Sequence, residues 1–128
     1  MEYELDINGR KLLFGHAANN DYVQDATGID FLTWYSEKLT MFSKREDGKW
    51  EYKGVRDLVE VAIYSGINNY ARVSKDRSLK ITFDEAKEFL YELSYDDRNK
   101  IMNDFIQGFN DAFKNEKQGE LKAQTAVN

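Results

Sequence analysis

Apolar positions recur at helical spacing over residues 55–70, VRDLVEVAIYSGINNY, the longest clean pattern before the C-terminal third. Val55, Leu58, Val59, Ala62, Ile63, Ile67 and Tyr70 fall at i, i+3, i+4, i+7 and i+8. That stripe is wide enough to face a core. Arg56, Asp57 and Glu60 fall on the opposite face. The pattern predicts a central helix on which the other amphipathic segments pack. Gly66, near its far end, costs about 1 kcal/mol against alanine inside a helix. Either another backbone approaches there or the helix stops near Ser65-Gly66.

A different period opens the chain. Tyr3, Leu5 and Ile7 alternate with Glu2, Glu4 and Asp6, the period of a half-buried strand. Asn8-Gly9 follows, the strongest short signal for a type I′ hairpin turn. Residues 10–14 supply the return strand. A lone hairpin is marginal in water, so its apolar face must rest on the helices downstream. Residues 17–27 read as a short helix, with Gly28 as its C-cap. Asp30 is then an N-cap for a helix from Phe31 to about Ser43, with Phe31, Leu32, Tyr35, Leu39 and Phe42 as its stripe. Residues 44–54 are charged and read as an exposed connection, with a tight turn at Asp47-Gly48 between short extended pieces. Residues 71–80 are polar and read as a second connection.

Thr82 and Glu85 form a capping box for a helix whose stripe is Phe83, Ala86, Phe89, Leu90 and Leu93. Ser94 and Asp97 repeat the pattern and open a last helix. Its stripe, Ile101, Met102, Phe105, Ile106, Phe109, Ala112 and Phe113, is the strongest in the chain, and Gly108 inside it marks a close-packing point. The expected fold is mainly α (α+β): an N-terminal β-hairpin packed on a bundle of about four to five helices. Residues 1–113 form one globular domain, and residues 114–128 a polar, disordered tail.

Composition narrows the function classes. The 128 residues are 41% hydrophobic and 32% charged, enough core for one domain without disulfides or metals. A formal charge of −5 argues against nucleic acid and anionic membrane as primary partners. No cysteine is present, which excludes disulfides, thiolate metal sites and cysteine nucleophiles. Proline is absent, which suits a mainly helical chain. No signal peptide or membrane-spanning run is expected.

Candidate chemistry is thin. His16 is the only histidine. It cannot build a histidine metal cluster, and a general base needs positioned partners. It reads as structural, at a strand–helix junction. Asp84, Glu85, Glu88, Glu92, Asp96 and Asp97 lie mostly opposite the apolar stripes or in first helical turns, where negative charge complements the helix dipole. No phosphate loop, dinucleotide fingerprint or nucleophile elbow occurs. Neither catalysis, a metal nor a cofactor is therefore expected. Lys44-Arg45 and Arg72, Lys75, Arg77 and Lys80 are the basic clusters, and a nucleic-acid module using the second is the least favoured binding class. Aromatics, 14% of the chain, mostly fall on core stripes. Tyr64, Tyr91 and Tyr95 fall off them, and exposed aromatics suit an interaction surface. Trp50 reads as a lid over the core, with an exposed partner anchor as the alternative.

The order of motifs resembles the tail assembly chaperones of long-tailed phages and prophages. Ile7-Asn8-Gly9-Arg10 running into Phe14-Gly15, then Ala62-Ile63-Tyr64-Ser65-Gly66, then Thr82-Phe83-Asp84-Glu85 and a last helix ending near Phe113 stand where that family has its hairpin, its central helix and its "T-F-E-E" helix. The resemblance covers residues 1–113; Phe89 stands where the family often has tryptophan, and residues 68–80 have no counterpart. It implies a non-enzymatic protein of the host bacterial cytoplasm, absent from the mature virion. Such a protein binds the tape measure protein, keeps it soluble and helps recruit the major tail tube protein. Self-association is left open. Many such chaperones also exist as a longer frameshifted form, for which the polar tail would be the junction. Aromatic placement nominates Trp50, Tyr52, Tyr64 and Tyr91 as partner contacts. The rival class is a small acidic regulator or inhibitor that acts by binding another protein.

Overall fold

Asn8 and Gly9 both have positive φ, 52° and 84°, as a type I′ turn requires. They join β1 (Tyr3–Ile7) to β2 (Arg10–Phe14) in antiparallel register, from Tyr3 opposite Phe14 to Ile7 opposite Arg10. The turn is fixed at two points. Gly9 N–H donates to Asp6 Oδ1 at 3.1 Å, and Asn8 Nδ2 donates to the Glu92 carbonyl at 3.2 Å. This computed structural model describes residues 2–38, 42–44, 46–48, 50–52 and 56–127, with side chains at 2–38, 46–48 and 58–111.

The expected class holds: among the described residues an N-terminal β-hairpin is followed by five α-helices. Helix α1 (Ala18–Thr27) ends where expected, with Gly28 left-handed at φ 73° and its N–H on the Gln24 carbonyl. Helix α2 spans Phe31–Lys38, and Asp30 accepts from Thr33 N–H at its start. It is shorter than the apolar spacing predicted. Phe42 and Ser43 belong instead to β3 (Phe42–Lys44), which pairs with β4 (Trp50–Tyr52) around a turn holding Gly48 at φ 84°. Strand pairing there overrides the helical period. Within α2, Trp34 is buried and Leu32 exposed, the reverse of the expected stripe; the Leu39 and Phe42 side chains lie outside the described residues.

Helix α3 (Arg56–Ser74) is the centre. The hairpin, α1, α4 (Phe83–Leu90) and α5 (Tyr95–Val127) all pack on it. It is therefore buried almost all round rather than along one stripe. Glu60, expected on a polar face, is buried for that reason; Val55 and the side chains of Arg56 and Asp57 lie outside the described residues. The helix also runs past Tyr70. Lys75 closes it in the left-handed region, φ 59°, with its N–H on the Arg72 carbonyl and Asp76 N–H on the Ala71 carbonyl. This is a Schellman end made without glycine. The expected polar connection thus shrinks to residues 75–82 and includes a 3₁₀ turn, Arg77–Leu79.

Both helical glycines are close-packing points. A Cβ on Gly66 would lie 2.7 Å from Phe14 Cζ and 2.9 Å from Leu12 Cβ. A Cβ on Gly108 would lie 2.6 Å from the Gly15 backbone nitrogen. Helix α3 does not end at Gly66; β2 side chains occupy the space instead. The hairpin is thus seated against α3 on one side and α5 on the other. Phe14, Trp34, Phe31 and Phe105 close the core beneath it, Phe14 meeting Phe105 edge-on at 5.8 Å.

Both capping boxes form. Thr82 Oγ accepts from Glu85 N–H while Glu85 accepts from Thr82 N–H, and Ser94 and Asp97 repeat the exchange. The stripe of α5 is buried at Ile101, Met102, Phe105 and Ile106. Its helical backbone continues to Val127. Ala112, Phe113 and the polar segment 114–128 fall where no side chain is described.

Candidate functional site

Three elements meet at a buried polar cluster. Asn19 of α1 donates to the Leu13 carbonyl at 3.0 Å and to Ser65 Oγ at 2.9 Å. Ser65 Oγ donates in turn to the Asn19 carbonyl at 3.0 Å. Asn69 Nδ2 donates to the Leu13 carbonyl at 3.0 Å and to His16 Nδ1 at 3.1 Å, and Asn69 Oδ1 takes both Arg72 Nε and Nη2. His16 Nδ1 faces N–H donors from both Asn69 and Arg72, so the ring accepts there and donates from Nε2 to Glu2 Oε1, 2.6 Å away. Asn19, Ser65 and Asn69 are all buried. The cluster fastens the end of β2 and the start of α1 to α3. His16 does sit at the strand–helix junction. The pattern of sequence gave no warning of its three buried partners, because asparagine and serine read as exposed in a helical stripe. The one available signal was polar residues at i, i+4 inside the apolar pattern of α3, Ser65 and Asn69.

A second polar contact ties β1 to α5. The Tyr3 hydroxyl donates to Asp111 Oδ2 at 2.6 Å. That hydrogen bond, then burial, then the charges of Asp111 and Asp104 hold the phenol proton and push the Tyr3 pKa from 10.0 up to about 12. Burial also raises Tyr35, Tyr64 and the half-buried Asp104 carboxyl above their ordinary values. The unfolded chain gives up the Tyr3 proton before the folded one does. Its stabilising contribution is therefore complete below the unfolded value of 10.0 and is lost as pH rises through about 12. The expected result is a fall in urea midpoint across that window, with a shallower fall in Tyr3→Phe; equal slopes would dissociate Tyr3 from the alkaline loss.

The nominated aromatics do not form one patch among the described side chains. Trp50 and Tyr52 lie on β4, whose backbone runs against α5; their side chains lie outside the described residues. Tyr64 is half-buried, edge-on to Tyr22 at 6.3 Å and to Phe83 at 5.8 Å. It is a packing residue with one exposed edge. Tyr91 is 65% exposed at the far end of α4. Phe83 and Tyr91 are separated by the length of that helix, roughly 12 Å at 1.5 Å per residue. Tyr95 is also exposed. The acids of α4 are solvent-facing, and no group of three or more metal-ligating side chains assembles among the described residues.

The concave surface lies elsewhere. The hairpin tip, the end of α3 and the connection to α4 enclose an open groove of about 490 Å³. Ile67 and Ile81 form its floor, Tyr70 and Leu79 its walls, and Arg10, Lys11, Lys80 and Glu85 its rim. Asn68 holds the floor in place by exchanging two hydrogen bonds with the Ile81 backbone, at 3.0 and 3.2 Å. A shallower groove of about 780 Å³ adjoins it along α4 and shares Arg10 and Glu85, reaching Tyr91 and Glu92. Sequence patterning missed this groove because it assembles from three segments distant in the chain.

No helix among the described residues is long and apolar enough to cross a membrane. No family model, no curated protein and no solved structure matches the chain.

Proposed function

We propose that this chain is a non-enzymatic tail assembly chaperone of the long-tailed phage kind. It binds the tape measure protein, keeps it soluble in the host cytoplasm and helps recruit tail tube subunits. The observation that carries this reading is where the motif pieces stand. Phe14-Gly15 of the hairpin lies against Gly66 of the central helix and Gly108 of the last one, and Thr82-Phe83-Asp84-Glu85 opens the helix packed beside Tyr64. Pieces far apart in the chain thus describe one packed unit, which is what a shared family pattern should encode. The residues an enzyme reading would reach for first are engaged otherwise: Ser65 Oγ is buried against the Asn19 carbonyl, and His16 bridges Glu2 and Asn69.

The test is co-expression with the tape measure protein and recovery of both on a tag carried by this chain. Wild-type chain should keep the tape measure protein in the supernatant. Tyr91→Ala, at a 65% exposed aromatic, should lower recovery by about tenfold or more beyond any change in its own melting curve, since exposed aromatic anchors carry binding energy. Trp50→Ala with Tyr64→Ala should also lower recovery, but Tyr64 packs on Phe83, so that pair is read beside its own melting curve. Recovery of a host enzyme in place of the tape measure protein would move the assignment to a regulator.

A further inference from the structure

Three cations rim the groove between hairpin tip and α3 without a carboxylate in salt-bridge range among the described residues. Arg10 lies over the Phe89 ring at 5.1 Å, and Lys11 over the Tyr70 ring at 5.7 Å. Lys11 stands opposite Asp6 across the hairpin, but Asp6 accepts from Gly9 N–H instead. Lys80 is exposed on the connection. In a chain of formal charge −5 this is a local inversion of sign. It surrounds an apolar floor, Ile67 and Ile81, and the partly exposed Leu79. The adjoining groove along α4 is acidic on balance, with Asp84, Glu85, Glu88 and Glu92 outnumbering Arg10 and Lys87, and Lys87 lies over the Phe83 ring at 4.9 Å.

We propose that this groove is a docking site for the apolar face of a helical protein segment that carries carboxylates along the flank facing the hairpin. Apolar side chains at i and i+4 enter the groove, and glutamates or aspartates beside them meet Arg10, Lys11 and Lys80. The acids of α4 repel a second acidic flank, so they fix which way round the segment lies. Stacked on rings, the Arg10 and Lys11 side chains are held in place before the partner arrives, which reduces the entropy lost on docking. A single-stranded nucleic acid fits the same cations less well. Lys11 already lies over the Tyr70 ring, which a base would need for stacking, and Glu85 on the rim with the α4 acids beside it repels phosphate. The inference goes beyond the chaperone reading, since it holds for whichever protein supplies the segment.

The experiment uses the full chain and three labelled probes, read by fluorescence anisotropy. One is a helix-stabilised peptide with a leucine face flanked by glutamates. The second is its twin with lysines in place of the glutamates. The third is an oligothymidine. The glutamate peptide should bind about tenfold or more tighter than its twin, a preference of about 1.4 kcal/mol. Arg10→Glu, Lys11→Glu and Lys80→Glu together should abolish or invert that preference. Lys80→Glu alone, on the exposed connection, should reduce it and serves if the triple variant fails to fold. Equal affinity for the two peptides, binding of neither, or a preference that survives charge reversal would overturn the proposal. So would an oligothymidine that displaces the glutamate peptide. Failure of the tape measure protein to co-purify, by contrast, bears on the chaperone reading alone.

Discussion

Phe14→Ala is expected to destabilise the chain by roughly 3–5 kcal/mol, the range for emptying a buried phenylalanine site. Phe14 is fully buried, meets Phe105 edge-on, and reaches to where a Cβ on Gly66 would stand. Its loss removes that ring contact and leaves a void between β2 and α3. Against a total stability of about 5–15 kcal/mol this is a large fraction. The melting temperature should fall by roughly 10–20 °C. A second measurement makes the geometry itself testable. Gly66→Ala alone should destabilise, because the new methyl meets the Phe14 ring and Leu12. In the Phe14→Ala background it should cost less, because the two ring contacts are gone and only Leu12 Cβ remains close. Costs that simply add would mean the ring and the glycine do not touch.

Asn69→Leu is the second large effect, expected at roughly 2–4 kcal/mol despite conserved volume. The substitution withdraws a donor from the Leu13 carbonyl and from His16, and the acceptor that holds the Arg72 guanidinium. The Leu13 carbonyl keeps Asn19, and Arg72 can return to water, which limits the loss. His16 is left with its Glu2 contact and a long one to Arg72. The urea midpoint should drop with an unchanged slope. Pairing the change with Asn19→Ala should give a coupling of about 0.5–3 kcal/mol, because both side chains serve one carbonyl. No coupling would mean that each asparagine acts alone.

Local patterns exposed much of this architecture. Alternation in β1, the Asn8-Gly9 turn, Gly28 as a cap and both capping boxes are short-range signals, and each appears where its residues stand. Local spacing is silent where long-range packing decides. Glu60 is buried because α3 is enclosed by four elements, which no single helical stripe reveals. Lys75 ends α3 in a conformation normally marked by glycine, so no glycine in the sequence signals where the helix stops. Phe42 continues an apolar spacing, yet it and Ser43 pair as a strand. The same reason hid the surfaces. Tyr64 and Tyr91 look alike in sequence, but one is packed on Phe83 and the other is exposed. The cation-rimmed groove draws on Arg10, Ile67 and Lys80, which nothing in their local spacing relates.

The junction of Phe14 and Gly15 with Gly108 sets an order of events during synthesis. The hairpin leaves the ribosome before the helices, yet one of its two seats is on α5. Until Gly108 emerges, Leu12, Leu13 and Phe14 have no complete cover, and a two-stranded hairpin is marginal by itself. The nascent chain must therefore hold an apolar strand in waiting while nearly the whole domain is made. Closure of that long loop, rather than formation of any one helix, should limit its folding rate.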